Sequence, residues 1–189
     1  MIESEKTVFK GKVVSVSKMI VSLDGDRRDR RVYDAVRTRP AAVVLACCPD
    51  GRFVFIRQPR PVVGEEQLLE AVAGKVDPGE TPFEAAIREL KEEVGMVAEA
   101  VMALGSVYAS PGYLDEVMHM FYMDVICLVH GAEGGDEDEH ITPEFLTEEE
   151  IDEAIAEQQI MDGKLIAIWG AWKIARDSGR MPSPFVGEN

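Results

Sequence analysis

The sequence predicts an α/β protein with a β-rich N-terminal segment, and three observations carry that prediction. A nearly continuous apolar run over residues 41–46 and a second stretch over 53–58 flank a Pro49-Asp50-Gly51 turn and look like two central strands of one sheet, buried on both faces. Residues 82–94 carry both start and stop signals for a helix. Residues 7–35 hold shorter strand-like stretches (8–16, 19–23 and 30–35), with Asp24-Gly25-Asp26 as a turn.

Taken in order, Arg39-Pro40 marks the end of the N-terminal segment, because proline restricts the residue before it. After the two apolar strands, residues 68–73 form a further strand ending at Gly74. The helix over 82–94 starts from Thr81 as N-cap, with Pro82 at its first position and Glu84 completing a capping box. Gly95 stands where a left-handed residue closes the helix. Strands are expected over 101–108 and 118–129, separated by Ser110-Pro111-Gly112, then a glycine- and acid-rich loop over 131–139. Two helices follow, 148–161 and 164–178, the second with Leu165, Ile168, Trp169 and Trp172 along one side. The expected organisation is therefore an N-terminal part over 1–38, a main domain over 39–180 and a loose tail over 181–189.

Composition narrows the function. The 189 residues are 46% hydrophobic and 29% charged, a balance that supports a real core. No apolar run approaches the roughly 18 residues of a membrane span. No basic segment leads into an apolar stretch at the N-terminus, so no secretory signal is expected. Cys47, Cys48 and Cys127 fall in no zinc-ligand spacing and read as reduced thiols of a cytoplasmic protein. A net charge of −15 opposes binding to nucleic acid or anionic membranes. It is unevenly spread: residues 1–60 hold 13 Lys/Arg against 7 Asp/Glu, and residues 61–189 hold 7 against 28. That asymmetry suits either two solvated faces or a site in which arginines hold an anion and carboxylates hold metal cations.

Chemistry concentrates in residues 74–96. Glu89, Glu92 and Glu93 lie at i, i+3 and i+4 and share one helical face. Ala86, Leu90 and Val94 line the other and anchor the helix to the sheet. Three like charges repel unless cations sit between them, and carboxylate oxygens suit hard divalent ions, Mg²⁺ or alternatively Mn²⁺. Gly74 and Gly79 in the preceding loop permit close approach of backbone to ligand or metal.

Gly74, five residues, Glu80, seven residues, then Arg88-Glu89-Leu90-Lys91-Glu92-Glu93-Val94-Gly95-Met96 resembles the Nudix box at every defining position. Arg57-Gln58-Pro59-Arg60, followed by Leu69-Glu70-Ala71-Val72-Ala73-Gly74, is similar to the segment before that box in ADP-ribose pyrophosphatases, with Val72 where that subgroup carries proline. Pro111, 15 residues beyond Met96, resembles the subgroup's marker proline, with Glu116 shortly after it. The resemblance spans about residues 37–168. It implies an α/β/α sandwich around a mixed sheet, plus a small N-terminal antiparallel β-subdomain exchanged in a homodimer. It further implies that Glu89 and Glu93 are the main metal ligands, with Glu92 and the Ala73 carbonyl as further ones. Arg88 then orients the glutamates and Glu80 supports them.

The activity this resemblance implies is Mg²⁺-dependent hydrolysis of ADP-ribose to AMP and ribose 5-phosphate. The alternatives are the same chemistry on another nucleoside diphosphate sugar such as GDP-mannose, or a non-catalytic nucleotide sensor. Arg57 and Arg60 can contact phosphate or the terminal ribose, and Glu70 a base or ribose unless it pairs with an arginine. Pro111 and Glu116 complete the expected substrate contacts. The family resemblance places the general base in the acidic loop, at Glu139 or else Glu137, with Gly134 and Gly135 as hinge, and Glu116 is a third candidate that either assists catalysis or contacts substrate. His119 reads as structural. Trp169 and Trp172 read as packing residues before they read as partners for adenine.

Overall fold

The computed structural model describes residues 2–22, 29–126 and 140–184. The backbone divides into two compact units, Met1–Pro40 with Val107–Val117, and Ala41–Ser106 with Met118–Asn189.

In the first unit, β1 (Ile2–Lys10), β2 (Ser15–Ser22) and β3 (Arg30–Arg37) form an antiparallel sheet in that order. The strand expected over 8–16 is instead a hairpin corner, closed where Gly11 N–H donates to the Val14 carbonyl at 2.8 Å. Val13 and Val14 carry strand propensity through that corner, which hides the turn from a pattern reading. Every residue of β1 is exposed. Segment 107–117 belongs to this unit, which its sequence does not announce. Val36 N–H donates to the Tyr113 carbonyl at 2.6 Å, and Asp115 N–H to the Val36 carbonyl at 3.1 Å. The Asp115 carboxylate accepts from Thr38 N–H at 2.9 Å and from Arg37 at 3.3 Å. Arg37 also grips Glu5 through Nε and Nη2 at 2.9 and 3.1 Å.

The second unit is built on a seven-stranded mixed sheet. Its strands are β4 (Ala41–Cys47), β5 (Phe53–Arg60), β6 (Glu65–Glu70), β7 (Val72–Lys75), β8 (Val97–Tyr108), β9 (Val117–Ile126) and β10 (Thr142–Leu146). The main path runs β10-β5-β4-β9-β8, with β6 on β5 and β7 on β4. β4 is parallel to β9 and antiparallel to β5 and β7. Its apolar run is central as expected, with Ala42 to Ala46 fully buried.

Two layers of helix cover this sheet. Ala42, Val44 and Ala46 share a core with Ala85, Ala86, Leu90 and Val94 of α1 (Pro82–Val94). Phe53 is paired in register with Cys47 and so lies on the opposite face. There it meets Trp169 and Trp172 of α3 (Gly163–Asp177) edge-on, with ring centroids 5.0 and 4.8 Å away. The result is the α/β/α sandwich the resemblance implies. Both tryptophans are buried and act in packing, with Trp169 Nε1 donating to Asp152 of α2 (Glu148–Ala156) at 2.9 Å.

Three departures from the sequence expectations have local causes. The strand expected over 68–73 is two strands, because the chain leaves its partner β5 at Glu70 and joins β4 at Val72. β10 is too short and polar to show a pattern, and its Pro143 is tolerated on the edge it occupies. α2 stops at Ala156, short of residue 161, as Gln158 turns to a positive φ of 58°.

Candidate functional site

The loop before α1 places the first acid. Gly79 takes φ 90° after Pro78, and Glu80 N–H donates to the Asp77 carbonyl at 3.0 Å. Proline then glycine at the centre of a turn is the combination a left-handed third position demands. Thr81 and Glu84 then cap each other as expected, and Gly95 closes the helix at φ 66°. Both ends of α1 are therefore fixed, and with them the direction of its acidic face.

Arg88 organises that face. Its Nε and Nη2 grip Glu80 at 2.9 and 3.0 Å, and Nη1 donates to Glu89 at 2.7 Å and Glu92 at 2.9 Å. Nη2 also donates to the Lys75 carbonyl at 3.0 Å, tying helix to strand β7. The Glu80 bonds, followed by those to Glu89 and Glu92, push the Arg88 pKa up, so the guanidinium stays charged. Glu93 points to the sheet, buried, and accepts from Ala73 N–H at 3.1 Å. The Glu89 carboxylate lies directly over Gly74, where a Cβ would collide with its carbon and both oxygens.

A second charged cluster adjoins β7. Glu70 is 1% exposed and accepts from Arg60 through Nε and Nη2, and from Lys164 Nζ at 2.9 Å. Burial pushes the Glu70 carboxyl up, and the Arg60 and Lys164 bonds outweigh it, so its pKa falls below the ordinary carboxylate value. Of the two alternatives for Glu70, pairing with an arginine is the one observed. Lys164 also bonds Asp162 at 2.8 Å, and Asp162 caps α3 by accepting from Lys164 N–H and Leu165 N–H. The remaining reach of Asp162 goes to Ala71 N–H at 3.4 Å. Asp162 and Lys164 were not singled out by sequence, although an aspartate just before a helix is a recognisable cap signal.

Arg57 is drawn elsewhere. It holds Glu144 of β10 in a two-point contact and donates to the Gln67 carbonyl at 3.2 Å. The adjoining cavity of about 260 Å³ is lined by Glu144, Glu150, Glu153 and Glu157 as well, surroundings that repel a diphosphate. Pro111 and Glu116 fall in the first unit, on the segment that closes on Val36. Glu137 and Glu139, with Gly134 and Gly135, lie outside the described residues. His119 Nδ1 shares a 2.8 Å hydrogen bond with Ser106, a local tie between β8 and β9.

The donors on this face are hard carboxylate oxygens, and Gly74 leaves Glu89 room against the backbone, which fits a hard divalent cation. Among the described residues no three His, Cys, Asp or Glu side chains converge on one point at metal distance. The glutamates are gathered on Arg88 instead, so the set is chemically suited but not pre-arranged around a cation.

Comparisons with known proteins agree with this geometry. The NUDIX domain model matches residues 37–167. An ADP-ribose pyrophosphatase of Bacillus subtilis is 29% identical over 161 residues, covering 85% of each chain. A methanol dehydrogenase activator of Bacillus methanolicus is 33% identical over 159 residues, 84% of each. A GDP-mannose pyrophosphatase of Escherichia coli is 33% identical over 178 residues, 86% of this chain and 92% of that protein. Among solved structures, an ADP compounds hydrolase superposes with a TM-score of 0.77 at 23% identity, over 95% of this chain and 96% of that one, which establishes the fold. With the helix, its capping, the arginine-bound glutamates and the match over residues 37–167 in agreement, this chain belongs to the Nudix family of hydrolases.

Proposed function

We propose that this Nudix hydrolase cleaves the diphosphate of ADP-ribose, giving AMP and ribose 5-phosphate, with Mg²⁺ as the working cation and Mn²⁺ as a substitute. One observation carries the reading: Arg88 holds the helix-borne Glu89 against a glycine, in a chain similar over 85% of its length to an ADP-ribose pyrophosphatase.

Glu89 and Glu93, with Glu92 and the Ala73 carbonyl, are the groups proposed to hold the cations. Divalent cations supply charge neutralisation for the diphosphate and acidify the attacking water. Arg88 fixes the directions of Glu89 and Glu92 and holds them together on one face against their mutual repulsion. The Glu93 carboxylate is oriented by the Ala73 amide, and the same contact holds that stretch of β7 in place. Arg60 is the arginine proposed to meet a phosphate oxygen or the terminal ribose. Pro111 and Glu116 are proposed as further substrate contacts. Glu139, or else Glu137, is proposed to accept the proton from water.

The similarity to a GDP-mannose pyrophosphatase supports a second reading, the same reaction on another nucleoside diphosphate sugar. Pocket contacts decide between the two. The test is a substrate panel of ADP-ribose, GDP-mannose, dinucleotides and NADH, run with Mg²⁺, with Mn²⁺ and with chelator. Cation-dependent release of AMP from ADP-ribose above all others is the expected result. GDP-mannose as best substrate would establish the second reading, and nucleotide binding without turnover would establish a sensor.

We further propose a homodimer assembled through the first unit's sheet, whose Val8, Phe9 and Val32 side chains are each more than half exposed. A cytoplasmic location accords with the free thiols of Cys47 and Cys48. No helix among the described residues is long and apolar enough to cross a membrane.

A further inference from the structure

We propose that Lys164 is a positioning residue, which sets substrate affinity by holding Glu70 and, through it, the guanidinium of Arg60. This inference rests on the diphosphate-hydrolase reading above.

The chain of contacts runs outward from the helix cap. Asp162 is buried, caps α3, and bonds Lys164 Nζ at 2.8 Å. Lys164 Nζ reaches across to Glu70 Oε2 at 2.9 Å. Glu70, 1% exposed, presents both its oxygens to Arg60, whose Nη2 stands 2.9 Å from Oε2. Arg60 is different from the rest: its side chain remains 44% exposed. Its bonds use Nε and Nη2, so among the described residues Nη1 has no protein acceptor. A guanidinium held by one edge and open on the other is suited to one further oxygen of a phosphate or ribose.

The position fits that role. Glu70 ends β6, and Ala73, whose amide orients Glu93, follows three residues later. The negative charges of Glu93 and Asp162 also act on Arg60. Where Arg88 of the acidic helix is taken up by Glu80, Glu89, Glu92 and the Lys75 carbonyl, Arg60 is a cation with a donor left for an anionic ligand.

The charges in this cluster balance: Arg60 and Lys164 against Glu70 and Asp162. Removing the lysine charge leaves two buried carboxylates with a single cation. Arg60 is then drawn inward to serve them, and the open Nη1 is lost to the ligand. A lysine that served only to tie α3 to the sheet would affect stability and leave affinity alone.

Steady-state kinetics with ADP-ribose and Mg²⁺, alongside calorimetric binding of ADP-ribose in chelator, separate these cases. Lys164→Met should raise KM and the dissociation constant about tenfold, the scale of one charge-assisted hydrogen bond. kcat should stay within about twofold, since the lost contact serves ground state and transition state alike. Lys164→Arg should restore most of the affinity. In an Arg60→Gln background, Lys164→Met should add nothing further, because both act on the same contact. Additive effects, or a lowered melting temperature with KM unchanged, would overturn the proposal. Should Lys164→Met fail to fold, Glu70→Gln keeps the shape and must raise KM in the same way; an unchanged KM there also overturns it. A wild-type chain that neither binds nor cleaves ADP-ribose would instead sink the proposed function.

Discussion

The carboxylate of Glu89 rests on the Cα of Gly74, at a spot that the smallest additional carbon would fill. Helix α1 and strand β7 approach this closely because Gly74 is paired with Ala42 in the sheet while Arg88 pulls the helix toward the Lys75 carbonyl. The acidic site is thus seated on backbone, with no side chain between.

Gly74→Ala should reduce turnover by at least about a hundredfold, equivalent to roughly 2.7 kcal/mol of transition-state stabilisation. The new methyl displaces the Glu89 carboxylate, which can swing toward solvent. The melting temperature should therefore change little, and paired calorimetry and steady-state kinetics will show the separation.

Glu93→Gln keeps the size of the side chain and an oxygen for the Ala73 amide, and removes the charge. Turnover with Mg²⁺ should fall by orders of magnitude while thermal stability is kept. Near-wild-type rates would exclude Glu93 from the cation-holding set.

Arg88→Lys keeps the charge and discards the fork. One ammonium cannot reproduce two contacts to Glu80 together with bonds to Glu89, Glu92 and the Lys75 carbonyl. Activity should drop about tenfold or more, with the optimum cation concentration shifted upward as the glutamates lose their common orientation. A titration of Mg²⁺ against rate for both proteins tests this.

Acid should expose the Glu70 cluster. Its folded carboxyl pKa lies below the unfolded value, so the unfolded chain binds the proton more readily. The stability from Glu70 is complete above about pH 4.3 and is lost as pH falls through the folded value. Melting temperatures measured from pH 7 downward should fall more steeply in the wild type than in Glu70→Gln below that point; parallel curves would contradict the shift.

Val32→Glu places a charge on an exposed apolar position of β3, opposite Ile20 on β2. If that sheet joins two copies, the variant should sediment at the monomer mass with its fold intact. An unchanged dimer mass would show that assembly uses another surface.

Much of this architecture is legible in the sequence where signals are local. α1 follows from Thr81, Pro82, Glu84 and Gly95, because caps are satisfied within a few residues. β4 and β5 follow from burial on both faces. The corner at Gly11–Val14 is closed locally but masked by the strand propensity of Val13 and Val14, whereas the partner switch at Ala71 and the docking of 107–117 onto Val36 depend on long-range hydrogen bonding that no short window contains. The glutamate stripe was legible for the same reason as α1. The pairing of Arg57 with Glu144 was not, since it spans 87 residues and belongs to an edge strand with no pattern of its own. Lys164 escaped notice because its significance lies in what a buried glutamate, 94 positions away, requires.

The packing of Phe53 against Trp169 and Trp172 has a practical consequence. These are the only two tryptophans in the chain, and both sit in one aromatic cluster with Tyr122 stacked at 6.1 Å on Trp172. Intrinsic indole emission is therefore a reporter of the second unit alone. The N-terminal sheet can melt without dimming it, and far-ultraviolet dichroism compared with fluorescence will tell whether the two units come apart in one transition or two.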